Sequence, residues 1–162
     1  AAASSSISEL EAEAARIIGE NGGDASLVTL LEKTLADELW TMGKKNSALP
    51  LYRRVITAGM EPLAQDAYYR TARFMEERKM AGYEQTLIDY KNKYSDDHAG
   101  HFLWLLGRAM VRAKNQAKAA EYLEESVTRF PKGGDSDECR FWLHKIYSAT
   151  GIADRALKTA GT

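Results

Sequence analysis

The sequence predicts an all-α fold, a right-handed superhelix of antiparallel helical hairpins. The first observation is a repeat in which four positions, spaced 36, 35 and 37 residues apart, each have a counterpart twelve residues later: Ala36 with Ala48, Ala72 with Glu84, Gly107 with Ala119, and His144 with Ala156. A period in the mid-thirties is typical of helical-hairpin arrays. The second is that no segment shows sustained period-two alternation, so no strand is predicted. The third is that connections are short, which makes consecutive helices antiparallel.

The first predicted element is a helix over about residues 8–20, with Leu10, Ala14 and Ile17 on one face. The segment Asn21-Gly22-Gly23 ends it. The leading Ala-Ala-Ala-Ser-Ser-Ser is of low complexity and is predicted to be disordered or a cloning remnant, and Ala1 in place of Met predicts a processed or excised chain. We therefore divide the sequence into an acidic leader with an N-terminal packing helix, 1–23, and a repeat domain, 24–162.

The repeat domain is predicted to hold about three full hairpins and a partial fourth. Its first helix runs from Asp24 or Ser26 to Met42, and the next begins at an Asn46 or Ser47 cap with Pro50 in its first turn. That second helix, 47–58, ends at Gly59. The remaining helices are predicted at 63–78, 82–94, 98–113, 116–130 and 136–149, with a last short stretch at 153–159.

The recurring small residues have a physical cause. Two helices of a hairpin approach closely at these positions, and a bulky side chain would hold them apart. Glu84 and His144 break the rule, so looser contacts are expected in the second and fourth hairpins.

The composition is that of a soluble globular chain, with 44% hydrophobic and 28% charged residues. No window approaches the roughly 18 apolar residues that span a bilayer. The net charge of −1 argues against a nucleic-acid partner. The charge is uneven, since residues 1–41 carry eight acidic and two basic side chains and residues 42–162 carry fifteen and twenty. One hypothesis is that the leader, with Glu9, Glu11, Glu13 and Glu20, docks on the basic repeats of this or a neighbouring molecule.

Residues 100–136 carry a specific pattern, formed by Leu106-Gly107, Met110, Ala119, Leu123 and Pro131. This spacing resembles the tetratricopeptide repeat, and further copies in phase lie at 29–64, 65–99 and from 137 onward. The strings at 127–132 and 141–147 look like the tetratricopeptide units of bacterial cell-envelope proteins. The resemblance implies a non-catalytic scaffold that binds a peptide or protein segment in a concave groove, in a bacterial cell envelope or periplasm.

In that family the groove is lined by the first helix of each hairpin, at positions two, five, nine, twelve and thirteen. Carried onto this sequence, position five is Lys33, Tyr69, Trp104 and Phe141, and position nine is Asp37, Arg73, Arg108 and Lys145. In three hairpins a cation therefore follows an aromatic residue one helical turn later, so the two stack on one face. His101, Arg112 and Trp40 map to the same wall.

We call this series of aromatic and basic residues the ladder. Tyr, Trp and Arg are enriched at binding hot spots. The ladder suits a peptide that has acidic or C-terminal carboxylate groups between apolar side chains. The alternative is that the aromatic residues fill space between adjacent hairpins and the cations merely cover them.

No active site, metal site or cofactor is predicted. One segment contains four residues of types that can ligate a metal, Asp96, Asp97, His98 and His101. They are explained without a metal by Asp97 as a helix N-cap and His98 in the first turn of that helix. Cys139, the single cysteine, has no general base placed near it by the sequence.

Two alternatives to a peptide-binding scaffold remain, and self-association is a further possibility. One is a helical auxiliary domain of a larger cell-wall or envelope enzyme. Another is RNA recognition by a pentatricopeptide-like array, which the irregular spacing and the net charge oppose. A homo-oligomer through the C-terminal edge of the solenoid is also consistent, because the last stretch is too short to cover the fourth hairpin.

Overall fold

The computed structural model describes residues 2–21 and 23–151. In these residues the chain forms eight α-helices and no strand, which confirms the all-α prediction. The helices are α1 (Ala2–Asn21), α2 (Ala25–Thr41), α3 (Lys45–Ala58), α4 (Leu63–Glu77), α5 (Tyr83–Lys93), α6 (Asp97–Arg112), α7 (Gln116–Arg129) and α8 (Ser136–Ala149). None of these helices is both long enough and apolar enough to cross a membrane.

The chain divides into two units, the first ending at Arg78 and the second beginning at Lys79. In the first unit α2 packs against α1 and α3, and α3 packs against α4. In the second unit α6 packs against α5 and α7, and α7 packs against α8. Because short turns join these neighbours, each unit is a stack of antiparallel helices.

The recurring small residues lie where two helices approach closely. In the first unit Ala36 of α2 and Ala48 of α3 belong to one core cluster and are fully buried. In the second unit a β-carbon added to Gly107 would lie 2.6 Å from Cδ2 of Leu123 on α7. Ordinary carbon contacts are about 3.5–4.0 Å, so only glycine fits at this approach. The sequence repeat thus has the cause predicted for it at these positions.

The two exceptions behave differently. Glu84 is half-buried and His144 is exposed, whereas the small residues Ala36, Ala72 and Gly107 at the same repeat position are buried. Ala156, the partner of His144 in the repeat, and the predicted stretch 153–159 lie outside the described residues.

A second repeat, which the sequence analysis missed, lies in the turns. Gly43, Lys79, Lys114 and Gly151 have φ of 76°, 49°, 58° and 73°, and they are spaced 36, 35 and 37 residues apart. This left-handed conformation ends a helix by letting the next amide bond back to a carbonyl of the last turn. Accordingly Lys44 N donates to Leu39 O at 2.8 Å, and Asn115 N donates to Met110 O at 2.9 Å. The turns from α2 to α3 and from α6 to α7 therefore share one backbone conformation and one hydrogen-bond pattern.

A polar clamp holds α5 to α7 in the second unit. The Arg129 guanidinium donates to Lys91 O, Tyr94 O and Ser95 Oγ at 3.0–3.2 Å. Its other terminal nitrogen donates to Glu125 at 2.8 Å, and Glu125 also pairs with the Lys91 ammonium at 2.8 Å. Arg129 therefore satisfies carbonyls at the C-terminal end of α5, which have no partner within their own helix.

Most predicted helix limits agree with the structure within two residues, but several details are wrong. Helix α1 begins at Ala2, so residues 2–6 of the leading segment, which was predicted to be disordered or a cloning remnant, are helical. Helix α3 begins at Lys45 without a side-chain cap, and Pro50 therefore lies in its second turn. The N-cap of α6 is Asp96 and not Asp97, because Asp96 has the extended backbone that lets its carboxylate accept from Ala99 N.

Candidate protein-binding surface

The first pair of ladder positions, Lys33 and Asp37, belongs to an ion-pair network around the buried side chain of Lys33. The side chain of Lys33 on α2 is only 8% exposed, and its ammonium lies 2.6 Å from Asp37 Oδ2 and 2.8 Å from Asp66 Oδ2. Tyr52 donates its hydroxyl to Asp37 Oδ1 at 2.7 Å. Arg70 Nε donates to Asp66 Oδ2 at 2.9 Å. A buried ammonium needs such partners, so Lys33 ties α2 to α4.

The surroundings of this network shift the pKa of Asp66 and of Tyr52. Burial alone would raise the pKa of Asp66, but the hydrogen bond and charge of Lys33, together with Arg70, lower it below the usual value. Burial raises the pKa of Tyr52, and the hydrogen bond to Asp37 raises it further, so the phenol stays protonated. At neutral pH Asp66 is therefore a carboxylate and Tyr52 a neutral phenol.

Tyr69 and Arg73, the second rung, lie on α4 beside a depression of about 260 Å³ in the first unit. The Arg73 guanidinium donates to Glu77 at 2.8 Å, and this bond raises the pKa of Arg73 despite some burial. Trp40, which also maps to the wall, lines the same depression with Phe74. The structure therefore brings Trp40, Tyr69 and Arg73 together.

The third rung is a three-layer stack on α6 in the second unit. Trp104 is 8% exposed, with the Arg108 guanidinium 4.6 Å from the centre of its ring. The His101 ring stacks on Trp104 with centroids 5.5 Å apart and an interplanar angle of 28°. His101 Nδ1 lies 2.8 Å from Asp135 Oδ2, immediately before α8. The predicted Trp104–Arg108 pair is present, and His101 links it to the start of α8.

The fourth rung lies on α8 and is open to solvent. Phe141 is 53% exposed, and the Lys145 ammonium lies 4.8 Å from its ring centre and 5.3 Å from that of Trp142. Arg112, the last residue of α6, is exposed. The predicted Phe141–Lys145 pair is therefore present on an accessible face.

The charges of the two units differ in one respect. In the first unit Lys33, Arg70 and Arg73 each pair with a carboxylate. No described residue supplies a carboxylate within ion-pair distance of Arg108, Arg112 or Lys145 in the second unit. Among the described residues, these three cations differ in this way from Lys33 and Arg73.

Residues that suggested other chemistry have local roles. Asp96 caps α6 and accepts the Tyr90 hydroxyl at 2.7 Å, and His101 faces Asp135. The described part of the chain holds no group of three or more His, Cys, Asp or Glu that would ligate a metal. Burial raises the pKa of Cys139 to about 11, so at neutral pH this thiol is protonated.

Comparison with known proteins identifies the fold. The family model described as "Tetratricopeptide repeat" matches residues 33–79 and 83–134, more than half of the sequence. This chain belongs to the tetratricopeptide repeat family. The solved structures include one similar in fold, reported as "YrrB: a TPR protein with an unusual peptide-binding site", with 20% sequence identity and a TM-score of 0.56 over 90% of this chain and 70% of that chain. No curated protein matches the sequence.

The family assignment confirms the predicted resemblance and the helical-solenoid fold class. Tetratricopeptide repeat proteins are generally non-catalytic scaffolds whose partners are proteins or peptides. At 20% identity the likeness to YrrB shows the fold alone. The identity of the contact residues therefore depends on the geometry of this chain.

Sequence reasoning missed the connection between Lys33 and Asp66. The sequence did carry a signal for this pair. Lys33 is at position five in the first helix of one hairpin, α2, and Asp66 is at position two in the first helix of the following hairpin, α4. Opposite charges at such positions on packed helices predict an ion pair. The position of Lys45 over the Trp40 ring, 4.8 Å from its centre, carried no such signal.

Proposed function

We propose that this protein is a non-catalytic scaffold that binds an acidic peptide segment through the second unit. We call the residues involved the α6–α8 surface, formed by Trp104, Arg108, Arg112, Phe141 and Lys145. The observation that carries the proposal is that its three cations lack carboxylate partners among the described residues, whereas Lys33 and Arg73, the ladder cations of the first unit, are paired. An acidic ligand supplies the missing charges.

The mechanism is capture of carboxylates beside an aromatic anchor. Arg108 offers a planar fork of donors that matches a carboxylate, and Lys145 offers a compact ammonium. The Arg108 guanidinium is already oriented by the Trp104 ring, so less side-chain freedom is lost on binding. The exposed ring of Phe141 gives an apolar side chain of the ligand a surface to cover. His101, whose ring stacks on Trp104 with centroids 5.5 Å apart, holds the Trp104 ring in position.

The test uses a short, fluorescein-labelled peptide that alternates glutamate and leucine, with a lysine-and-leucine peptide for comparison. Fluorescence anisotropy measures binding to the protein and to R108E, R112E and K145E. Each reversal is expected to weaken binding of the acidic peptide about fivefold or more, because it replaces an attraction with a repulsion. Binding should also weaken as salt rises, since charges are screened over about 10 Å at 0.1 M salt.

The matched control is R53E, which reverses an exposed cation on α3, away from the ladder. It changes net charge as the other variants do. Thermal unfolding by circular dichroism checks that all four variants fold. If R108E, R112E and K145E bind the acidic peptide as tightly as the unaltered protein does, the α6–α8 surface is not the binding site. The same conclusion holds if R53E weakens binding as much as these three variants do.

A further inference from the structure

The depression in the first unit has the features of a side-chain pocket. We call it the Trp40 pocket, after the residue at its base. Trp40, Tyr69 and Phe74 line it, together with charged side chains of both signs. Its volume is about 260 Å³, which leaves room for one side chain of a ligand. All of its lining residues belong to the first unit.

The aromatic lining is held in a fixed arrangement. The Trp40 ring packs edge-on against Phe74 and against Tyr52, with centroids 5.6 Å apart in both cases. Tyr52 is fully buried and its hydroxyl bonds to Asp37, so it cannot move without breaking the Lys33 network. A pre-formed aromatic surface favours a flat aromatic ligand group, because stacked and edge-on ring pairs contribute beyond the area they bury.

The charged lining has a positive excess. The cations are Lys45, Arg70 and Arg73, and the carboxylates are Asp66 and Glu77. Asp66 is also held by the ammonium of Lys33 at 2.8 Å, and that ammonium pairs in turn with Asp37 at 2.6 Å, so among the described residues the excess over the pocket is the one unpaired charge of Lys45. The pocket therefore favours a ligand that carries an anion.

Lys45 is the movable part of this pocket. Its ammonium lies 4.8 Å from the centre of the Trp40 ring, and no described residue pairs with it through a carboxylate. A cation resting on a partly exposed ring is held weakly, and lysine has a flexible four-carbon stem. An incoming ring can take the place of the ammonium over Trp40 at small cost.

We propose that the Trp40 pocket binds the aromatic side chain of a peptide residue that lies next to a carboxylate. The ring of the ligand stacks over Trp40, and the displaced Lys45 ammonium pairs with the carboxylate. This inference stands apart from the α6–α8 surface, because it concerns the other unit and requires an aromatic ring as well as a negative charge.

The test follows the indole N–H signal of Trp40 in ¹⁵N–¹H NMR spectra, assigned by its loss in W40F. Four probes are titrated, each acetylated and amidated: Asp-Phe, Asn-Phe, Asp-Ala and Lys-Phe dipeptides. Asp-Phe is expected to shift the Trp40 signal at concentrations up to about 10 mM, as weak single-side-chain binding requires. Asn-Phe should bind more weakly, and Asp-Ala and Lys-Phe should leave the signal unchanged.

The variant K45A separates the two roles of Lys45, with K44A as the matched control on the neighbouring exposed lysine. Removing the competing ammonium should strengthen Asn-Phe binding about two- to fivefold. It should also abolish the preference for Asp-Phe over Asn-Phe, while K44A behaves as the unaltered protein.

Three results would overturn the inference. One is no shift of the Trp40 signal with Asp-Phe, and another is an equal shift with Asp-Ala. The third is a K45A protein whose Asp-Phe and Asn-Phe affinities match those of K44A. Running R108E in parallel keeps the two proposals distinct, since that variant should lose the acidic peptide at the α6–α8 surface and retain the response of Trp40 to Asp-Phe.

Discussion

Replacing Gly107 with alanine adds one methyl group at the closest approach of α6 and α7. The added carbon would lie 2.6 Å from Cδ2 and 2.7 Å from Cγ of Leu123, about 1 Å inside ordinary contact. Overpacking of this kind costs about 1–3 kcal/mol. Alanine in a helix interior is favoured over glycine by about 0.8–1.0 kcal/mol. We therefore expect G107A to lower the free energy of unfolding by up to about 2 kcal/mol.

Gly19 supplies the matched control, because it also lies within a helix and an added β-carbon there meets nothing within 4 Å. The variant G19A should gain helix propensity without a clash, so it should stabilise the protein by up to about 1 kcal/mol. The difference between the two variants, about 1–3 kcal/mol, isolates the steric cost at Gly107.

Urea unfolding followed by circular dichroism and by tryptophan fluorescence measures both variants, and coincidence of the two signals tests whether unfolding is two-state. Adding L123A removes the atoms that the new methyl group meets. In that background G107A should become stabilising, which gives a coupling free energy of about 1–3 kcal/mol. If G107A stabilises the protein as much as G19A does with Leu123 intact, the close approach does not explain the glycine.

Three further predictions concern other contacts. K114G should raise the free energy of unfolding by about 0.4–1 kcal/mol because Lys114 holds a left-handed φ of 58°, and G43A should lower it; equal thermal midpoints for the two would contradict this. The pKa of Asp66 is lower in the folded than in the unfolded protein. Ionised Asp66 therefore adds to the free energy of unfolding above about pH 4, and this contribution is lost as the pH falls through the pKa of Asp66 in the folded protein. D66N should therefore be less stable at pH 7, and its urea midpoints should fall less between pH 6 and pH 3 than those of the unaltered protein; parallel curves would exclude this role. R129A should lower the free energy of unfolding by about 1–3 kcal/mol, since it orphans carbonyls at the end of α5, and hydrogen exchange should rise first in α5; uniform exchange would count against the clamp.

The helices and their order were predictable because the turns are marked by residues with strong local preferences. Gly43 and Gly59 end α2 and α3 in the left-handed conformation that glycine favours. The turns at Lys79 and Lys114 were placed correctly but their backbone conformation was not foreseen, because lysine gives no signal for it. A choice between adjacent aspartates at the start of α6 also lay beyond sequence reasoning, since Asp96 and Asp97 are equally good N-caps.

The candidate surfaces were predictable only where contacts are local. Trp104 with Arg108 and Phe141 with Lys145 are one helical turn apart, so their stacking follows from spacing. The burial of Trp104 depends on its surroundings, including the His101 ring, and could not be derived from one helix. Pairing of Lys33 with Asp66 joins residues 33 positions apart in sequence, and it was missed although the repeat register places these opposite charges on first helices of successive hairpins.

The left-handed residues in the turns also bear on how this chain can be rebuilt. A segment that runs from one such residue to the next begins and ends in the same backbone conformation, whether the residue is glycine or lysine. Copying the stretch between Lys79 and Lys114 would therefore join like to like at both ends. The spacing of the left-handed residues equals the length of the sequence repeat, so a segment cut at these residues can be inserted or removed to lengthen or shorten the array.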